Sequence, residues 1–400
     1  MSIYDNAGVA LIPSGTKASK LYSVLPANGN GDFNATRGST ATRVNKDGLI
    51  ESVATNVPRL NYPLIDGVVQ DCPALLLEPQ RTNLINYSEA ISNTPVKSGT
   101  FTDNFAISPD GSQNATKLTA GNTDPYFYQS VAFTAGDYTA SLWVKGIGGA
   151  IGKEFRFAIS NETHSSNKYE IPSEWTRFEF TATITTGTFS TGLEIPDPAV
   201  SGDEVLVWGW QLEAGSYKTS YIKTSGGQAT RSADVCNGSG TSAEFNDSEG
   251  VFFVESAALI SSDTSRDIEI SDGNTNRIII QYITGAIQVY VLVGGSTSYT
   301  FSHTATITQF KKISLKYKEN DFALWIDGFE VDSSNSGSVF GANTLTQLDF
   351  FKGSNQTFNF YGKTKQVMTF KTALNDSELE TLTSWDSFNA MATGQLYTIE

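Results

Sequence analysis

Apolar side chains along this chain fall mainly on alternate positions. In Tyr138–Val144, Tyr138, Ala140, Leu142 and Val144 share one face, and in Arg177–Ile184 the matching set is Phe178, Phe180, Ala182 and Ile184. A period of two predicts strands with one face turned inward. Ile313, Leu315 and Tyr317 alternate with Ser314, Lys316 and Lys318, which predicts a half-exposed strand. Asn320-Asp321 then turns the chain back into Phe322, Leu324 and Ile326, closing a hairpin. One helix is expected near the end, where Asn375 as N-cap and Glu378 as capping-box partner precede Leu379 and Leu382.

These elements group into three parts. Residues 1–86 are turn-rich and poor in aromatics, with turn signals at Asn30-Gly31 and a short hairpin around Asp47-Gly48. So little apolar surface predicts a small or extended β segment that leans on something else, for example a neighbouring copy. Residues 87–234 and 235–400 each carry many short strands between Gly, Pro, Asn and Asp turns, the pattern of an antiparallel sandwich or jelly roll. The expected fold class is all-β: a small attachment region followed by two sandwiches.

The joint between the first two parts is the stretch Pro73–Ser88, "PALLLEPQRTNLINYS". Leu75–Leu77 reads as a closing strand, Glu78-Pro79-Gln80-Arg81 as a stop, and Thr82–Ile85 as the lead into the first sandwich, since proline lacks the donor a ladder needs. An ion pair between Glu78 and Arg81 is expected to fix the angle there. A faint echo supports a seam. Leu77-Glu78 before Thr82–Ile85 resembles Leu212-Glu213 before Thr219–Ile222, and Ala41-Thr42-Arg43 recurs as Ala229-Thr230-Arg231.

Charge narrows the function classes. Twenty-seven basic against 42 acidic residues give a net charge of −15. That argues against nucleic-acid binding, which needs clustered Lys and Arg, and against docking on an anionic membrane. No apolar run approaches a membrane span, and the first residues lack the pattern of a cleaved secretory signal. Cys72 and Cys236 fit neither a disulfide framework nor a metal spacing.

The stretches Leu11–Glu51, Asn56–Pro63 and Cys72–Glu89 together resemble the opening of bacteriophage fibre or spike proteins. Residues 208–234, "WGWQLEAGSYKTSYIKTSGGQATRSAD", close a part that resembles the carbohydrate-binding-like jelly roll following that opening. Residues 315–328 and 360–382 resemble a concanavalin A-like, laminin-G-like sandwich. The resemblance implies a virion appendage subunit of tail or head: a homotrimer, assembled in the host cytoplasm and held to other virion proteins by its N-terminal region. It also implies adhesion to a host surface glycan. A decoration protein without ligand and a glycan depolymerase are the alternatives.

Candidate chemistry points to binding. Sugar recognition uses aromatic platforms beside amides and carboxylates. Tyr126 and Tyr128 share a strand face beside Asn122 and Asp124, Tyr290 lies near Tyr282, and Trp175 falls out of phase with the Phe178/Phe180 face. Ordinary sandwich aromatics would look the same. Asp263, Asp267, Asp272 and Asn274 offer oxygen ligands for a calcium ion, although hairpin chemistry at Asp272-Gly273 explains them equally and no EF-hand pattern is present. No other cofactor is expected. His164 and His303 stand apart in polar stretches, and no nucleophile elbow, zinc motif or phosphate loop appears. Glycoside hydrolysis needs two carboxylates across a cleft. Glu154, Glu174, Glu204, Asp267, Glu269 and Asp272 are not paired by their order in the chain, and catalysis is not expected.

Overall fold

The computed structural model describes the chain except residues 1–2, 66–67, 122–124, 160–167, 196–200, 263, 354 and 396–400. Among the described residues the regular elements are almost all strands, paired antiparallel and arranged chiefly as two sandwiches.

In the middle sandwich one sheet runs in the order Val96–Ser98, Tyr126–Phe133, Gly187–Glu194, Glu154–Ile159, Lys168–Glu170. The other runs Thr100–Ile107, Gln113–Thr119, Glu204–Ala214, Gly136–Ile147, Thr176–Ile184. The alternating face of Tyr138, Ala140, Leu142 and Val144 is buried between them with Phe127, Phe155, Phe157 and Trp210. The opposite face of the same strand is also covered: Trp143 packs with Trp208 and Tyr221 in a second, smaller cluster.

The C-terminal sandwich packs the sheet Ser296–Thr304, Ala286–Val293, Arg277–Ile283, Arg266–Ser271, Gln347–Asp349 against a larger one. That larger sheet contains strands from both ends of the chain. Phe329–Ser334, Phe322–Ile326, Lys311–Lys318, Glu249–Ala258 and Gly362–Phe370 are followed by Ala74–Leu77 and Arg59–Asn61, and Ala7–Leu11 also pairs with Gly362–Phe370. Phe33–Thr36 pairs with Val235–Asn237. Residues 1–86 therefore do not stand apart. Several of their short strands complete the C-terminal body, and Val9, Leu11, Phe33, Leu75 and Leu77 are buried in its core. The middle sandwich is an insertion in that body. Its ingoing strand Arg81–Asn83 lies against its outgoing strand Ala229–Arg231.

Lys311–Lys318 is buried on both faces, not one. Ile313, Leu315 and Tyr317 enter the main core, while Ser314 is 0% and Lys316 8% exposed. The second face is covered by a cluster that includes Trp325, Met368, Leu379 and Leu382, the last two from the helix Asp376–Thr383. That helix begins with the expected capping box: the Asn375 side chain accepts from Glu378 N–H, and the Glu378 carboxylate accepts from Asn375 N–H. Asn375→Ala is expected to lower stability by about 1 kcal/mol, read as a shifted denaturation midpoint with unchanged slope.

Candidate functional site

The joint at Pro73–Ser88 is built from buried charge. Glu78 is 3% exposed and does not pair with Arg81. Its carboxylate takes Arg59 Nη1 at 2.6 Å, Arg231 Nη1 at 2.9 Å, and the amide and hydroxyl of Ser220 at 2.8 and 2.6 Å. Asp234 takes Arg37 at 2.9 Å, Arg59, and the amide of Glu78. Arg81 instead approaches Glu213 at 3.7 Å, and Glu213 also takes the amide and hydroxyl of Thr219. The Leu-Glu echo is thus one motif used twice, each Glu clamping a residue of the Thr219-Ser220 pair. Pro79 lies between Glu78 and Arg81, and the two side chains serve different partners. Burial alone would raise the Glu78 carboxyl, but Arg231, Arg59 and Ser220 outweigh it and hold it well below the usual carboxylate range. Asn83 makes four hydrogen bonds in the same joint: Nδ2 to the carbonyls of Trp210 and Ile222, Oδ1 from the amides of Ile85 and Leu212.

Two open features flank this joint. The first is a platform on the outer face of the middle sandwich. Tyr126 and Tyr128 project from the same side of Tyr126–Phe133 while Phe127 fills the core. Their rings stack with centroids 5.1 Å apart and planes at 29°. Tyr128 lies over Gly192, where a Cβ would stand 2.7 Å from its ring. Tyr126 faces Glu194 across the strand pair, and Glu194 faces Arg156 on the next strand. Glu194 accepts from the Tyr128 hydroxyl at 2.7 Å and from Arg156. Burial and then Glu194 raise the Tyr128 phenol, so the ring stays a neutral donor. Two aromatic faces beside a carboxylate and a guanidinium can stack a sugar ring and hydrogen-bond its hydroxyls.

The second is a cleft of about 330 Å³ between the hairpin Ala41–Val44/Ile50–Val53 and the middle sandwich, lined among others by Thr40, Ser52, Glu89, Asp110, Tyr221 and Lys223. Glu89 takes the Tyr221 hydroxyl at 3.0 Å and Lys223 at 2.7 Å. Asn114 Nδ2 donates to both Glu89 (3.3 Å) and Asp110 (3.0 Å). The two carboxylates thus share one amide donor. Burial pushes Asp110 up, while donation from Ser112, Ser108 and Asn114 overrides it and holds the carboxyl low.

The other expected site residues are scattered. Tyr282 is fully buried. It shares the inward face of Arg277–Ile283 with Ile278 and Ile280, and its hydroxyl bonds Ser256 at 2.6 Å. Tyr290 pairs opposite Ile279 and so belongs to the other face, where it is half-buried and donates to Gln288. The two form no common platform. Trp175 caps the Trp143–Trp208–Tyr221 cluster and donates to the Ile107 carbonyl at 3.0 Å, in the sheet opposite the tyrosines. Asn122, Asp124, Asp263 and His164 lie outside the described residues. Asp267 and Asp272 do not converge. Five residues of strand separate them by about 17 Å. Asp272 accepts from the amides of Asn274 and Asn276 in a turn, and Asp267 is buried against Gln281. Among the described residues no three His, Cys, Asp or Glu side chains are grouped to hold a metal. Among them, too, no helix is long and apolar enough to cross a membrane.

No protein-family model matches the chain, and no curated protein matches it. Among solved structures it is similar to the CBM40 module of the Ruminococcus gnavus IT-sialidase bound to α2,3-sialyllactose. There the identity is 12%, the TM-score 0.31, and the match covers 35% of this chain and 84% of that one. It is similar also to domain 4 of AbnA, a GH43 extracellular arabinanase of Geobacillus stearothermophilus, with arabinotriose (11%, 0.32, 43% and 84%). A third is the receptor-binding domain of a botulinum neurotoxin C/D mosaic serotype (10%, 0.30, 38% and 40%).

Proposed function

We propose that this protein is a glycan-binding display module whose contact surface is the Tyr126/Tyr128 platform, and that it acts by binding without cleavage. The observation that carries the reading is the stacked tyrosine pair beside Gly192, with Glu194 and Arg156 at its edge. Such a surface supplies ring faces and paired donors and acceptors. The setting is a fibre or spike subunit of a bacteriophage virion, a homotrimer displayed towards host glycans. This part of the proposal rests on the resemblance of residues 11–89 to the opening of such proteins. Several weak sites on one particle then act together through avidity.

A glycan array with the full chain is the test, followed by Tyr126→Ala/Tyr128→Ala. The double variant is expected to keep its thermal midpoint within a few degrees and to lose glycan binding by at least about tenfold, as for aromatic hot spots. An array with no signal, or a double variant that binds normally, sinks the reading. Antibody labelling of intact particles and light scattering test the virion setting and the trimer separately.

A further inference from the structure

We infer that the cleft between the N-terminal hairpin and the middle sandwich is a second binding site, for one neutral sugar unit. It stands apart from the tyrosine platform. None of its lining residues belongs to the sheet that carries Tyr126 and Tyr128.

The walls come from different parts of the chain, a common place for ligand sites. The hairpin wall is pinned at three points. Thr42 Oγ1 donates to the Tyr221 carbonyl at 2.6 Å, the amide of Ile50 donates to the Pro109 carbonyl at 2.9 Å, and Arg59 Nη1 donates to the Thr42 carbonyl at 3.1 Å. A volume of about 330 Å³ falls at the small end of ligand pockets, which run from about 300 to 1,000 Å³. The cleft therefore suits a single ring and not an extended chain.

The lining sets the ligand's chemistry. Thr40 and Ser52 bring exposed hydroxyls, Thr42 and Thr230 bring hydroxyls that also bond the Tyr221 carbonyl and Thr82, and the floor is the edge of Tyr221, 3% exposed and backed by Trp208 at 4.5 Å between centroids. The indole N–H of Trp208 is buried with no hydrogen-bond partner among the described residues. Buried donors are rarely left unpaired. Hydroxyls on the hairpin wall and an apolar floor match a polyhydroxylated ring by its O–H groups and its edge. Charge disfavours anions. Lys223 pairs with Glu89, Arg231 is buried against Glu78, and Asp110 is held by hydrogen bonds from Ser108, Ser112 and Asn114 with no ion pair among the described residues. A uronate would meet that carboxylate and would have to draw Lys223 from Glu89 to answer it.

The test is calorimetric titration of the full chain with a panel of methyl glycosides (glucose, galactose, mannose, N-acetylglucosamine, rhamnose, fucose) and with glucuronate and galacturonate. Ser52→Trp and Thr40→Trp fill the mouth from two exposed positions that take no part in the core. At least one neutral glycoside is expected to bind the wild type and Tyr126→Ala/Tyr128→Ala with the same Kd, and each tryptophan variant at least about tenfold more weakly, a change of about 1.4 kcal/mol. Binding that survives both tryptophans, binding lost in the tyrosine variant, or no binding by any glycoside overturns the site. A uronate that binds as tightly as its neutral parent overturns the ligand class. Because the platform is probed by its own variant, the two sites fail separately.

Discussion

Glu78→Ala is expected to cost about 3–5 kcal/mol, the loss typical of removing one partner from a buried ion pair. The substitution leaves Arg59, 0% exposed, with Asp234 as its one carboxylate among the described residues, and Arg231, 1% exposed, with no described carboxylate in contact, and it strips the amide and hydroxyl of Ser220 of their acceptor. Such a loss is a large share of the about 5–15 kcal/mol that holds a domain together. Equilibrium denaturation of the full chain reads it. Glu51→Ala is the control: it breaks an Arg43–Glu51 pair of the same 2.6 Å length at the surface and is expected to cost less than about 1 kcal/mol. Equal losses for the two variants would refute the claim that burial makes the joint's charges decisive.

Asp267→Asn is expected to have the opposite sign. Asp267 is fully buried; its Oδ1 takes Gln281 Nε2 at 2.9 Å, and its Oδ2 has no partner among the described residues. Burial raises its carboxyl to about 7, with Glu269 adding to the rise, against the pull of Gln281, Lys352 and Arg277. The folded chain thus keeps a proton on Asp267 up to about pH 7, whereas an unfolded aspartate releases it near pH 4. The folded state therefore loses stability as pH climbs from about 4 to about 7, and the penalty is complete above that. A gap of about three pKa units corresponds to about 4 kcal/mol. Asp349, raised by burial to about 6, acts in the same direction over a narrower window. Asn at position 267 keeps the acceptor for Gln281 and removes the titration. The variant should be more stable than wild type at pH 8, equal to it near pH 4, and flatter between. A wild-type midpoint that rises steadily from pH 4 to 8 would contradict the assignment. Glu78 sets the acid limit, since its depressed carboxyl gives up its contribution only as pH falls below the normal carboxylate range.

Much of the middle sandwich was legible because its strands are long and alternate cleanly. The faces of Tyr138–Val144 and of Phe178–Ile184 lie where their period puts them, and Tyr126 and Tyr128 do share an outward face. What lies across a strand pair was not legible. Glu194 and Arg156 are 66 and 28 residues from Tyr128, and only the register brings Glu194 to its hydroxyl and Arg156 to Glu194. The same limit hid the partners of Glu78, which lie 19 and 153 residues away in sequence. Tyr282 and Tyr290 illustrate parity. Both sit on alternating strands, but the pairing of Ile279 with Tyr290 places them on opposite sides of the sheet. The N-terminal strands were opaque for another reason. They are two to five residues long, and much of the surface they bury belongs to strands more than 200 positions later.

That last pairing dictates an order of events. As the chain is synthesised, the middle sandwich has every strand it needs once Ala229–Arg231 has emerged, and domains fold as units as they appear. The body that carries it cannot close so early. Ala7–Leu11 and Ala74–Leu77 both pair with Gly362–Phe370, so both must wait for a strand made nearly 300 residues or more after them. Until then the apolar edge Leu75–Leu77 has no neighbour on that side. The inserted domain, folded first, stands beside that edge and bridges the two waiting halves of its own scaffold.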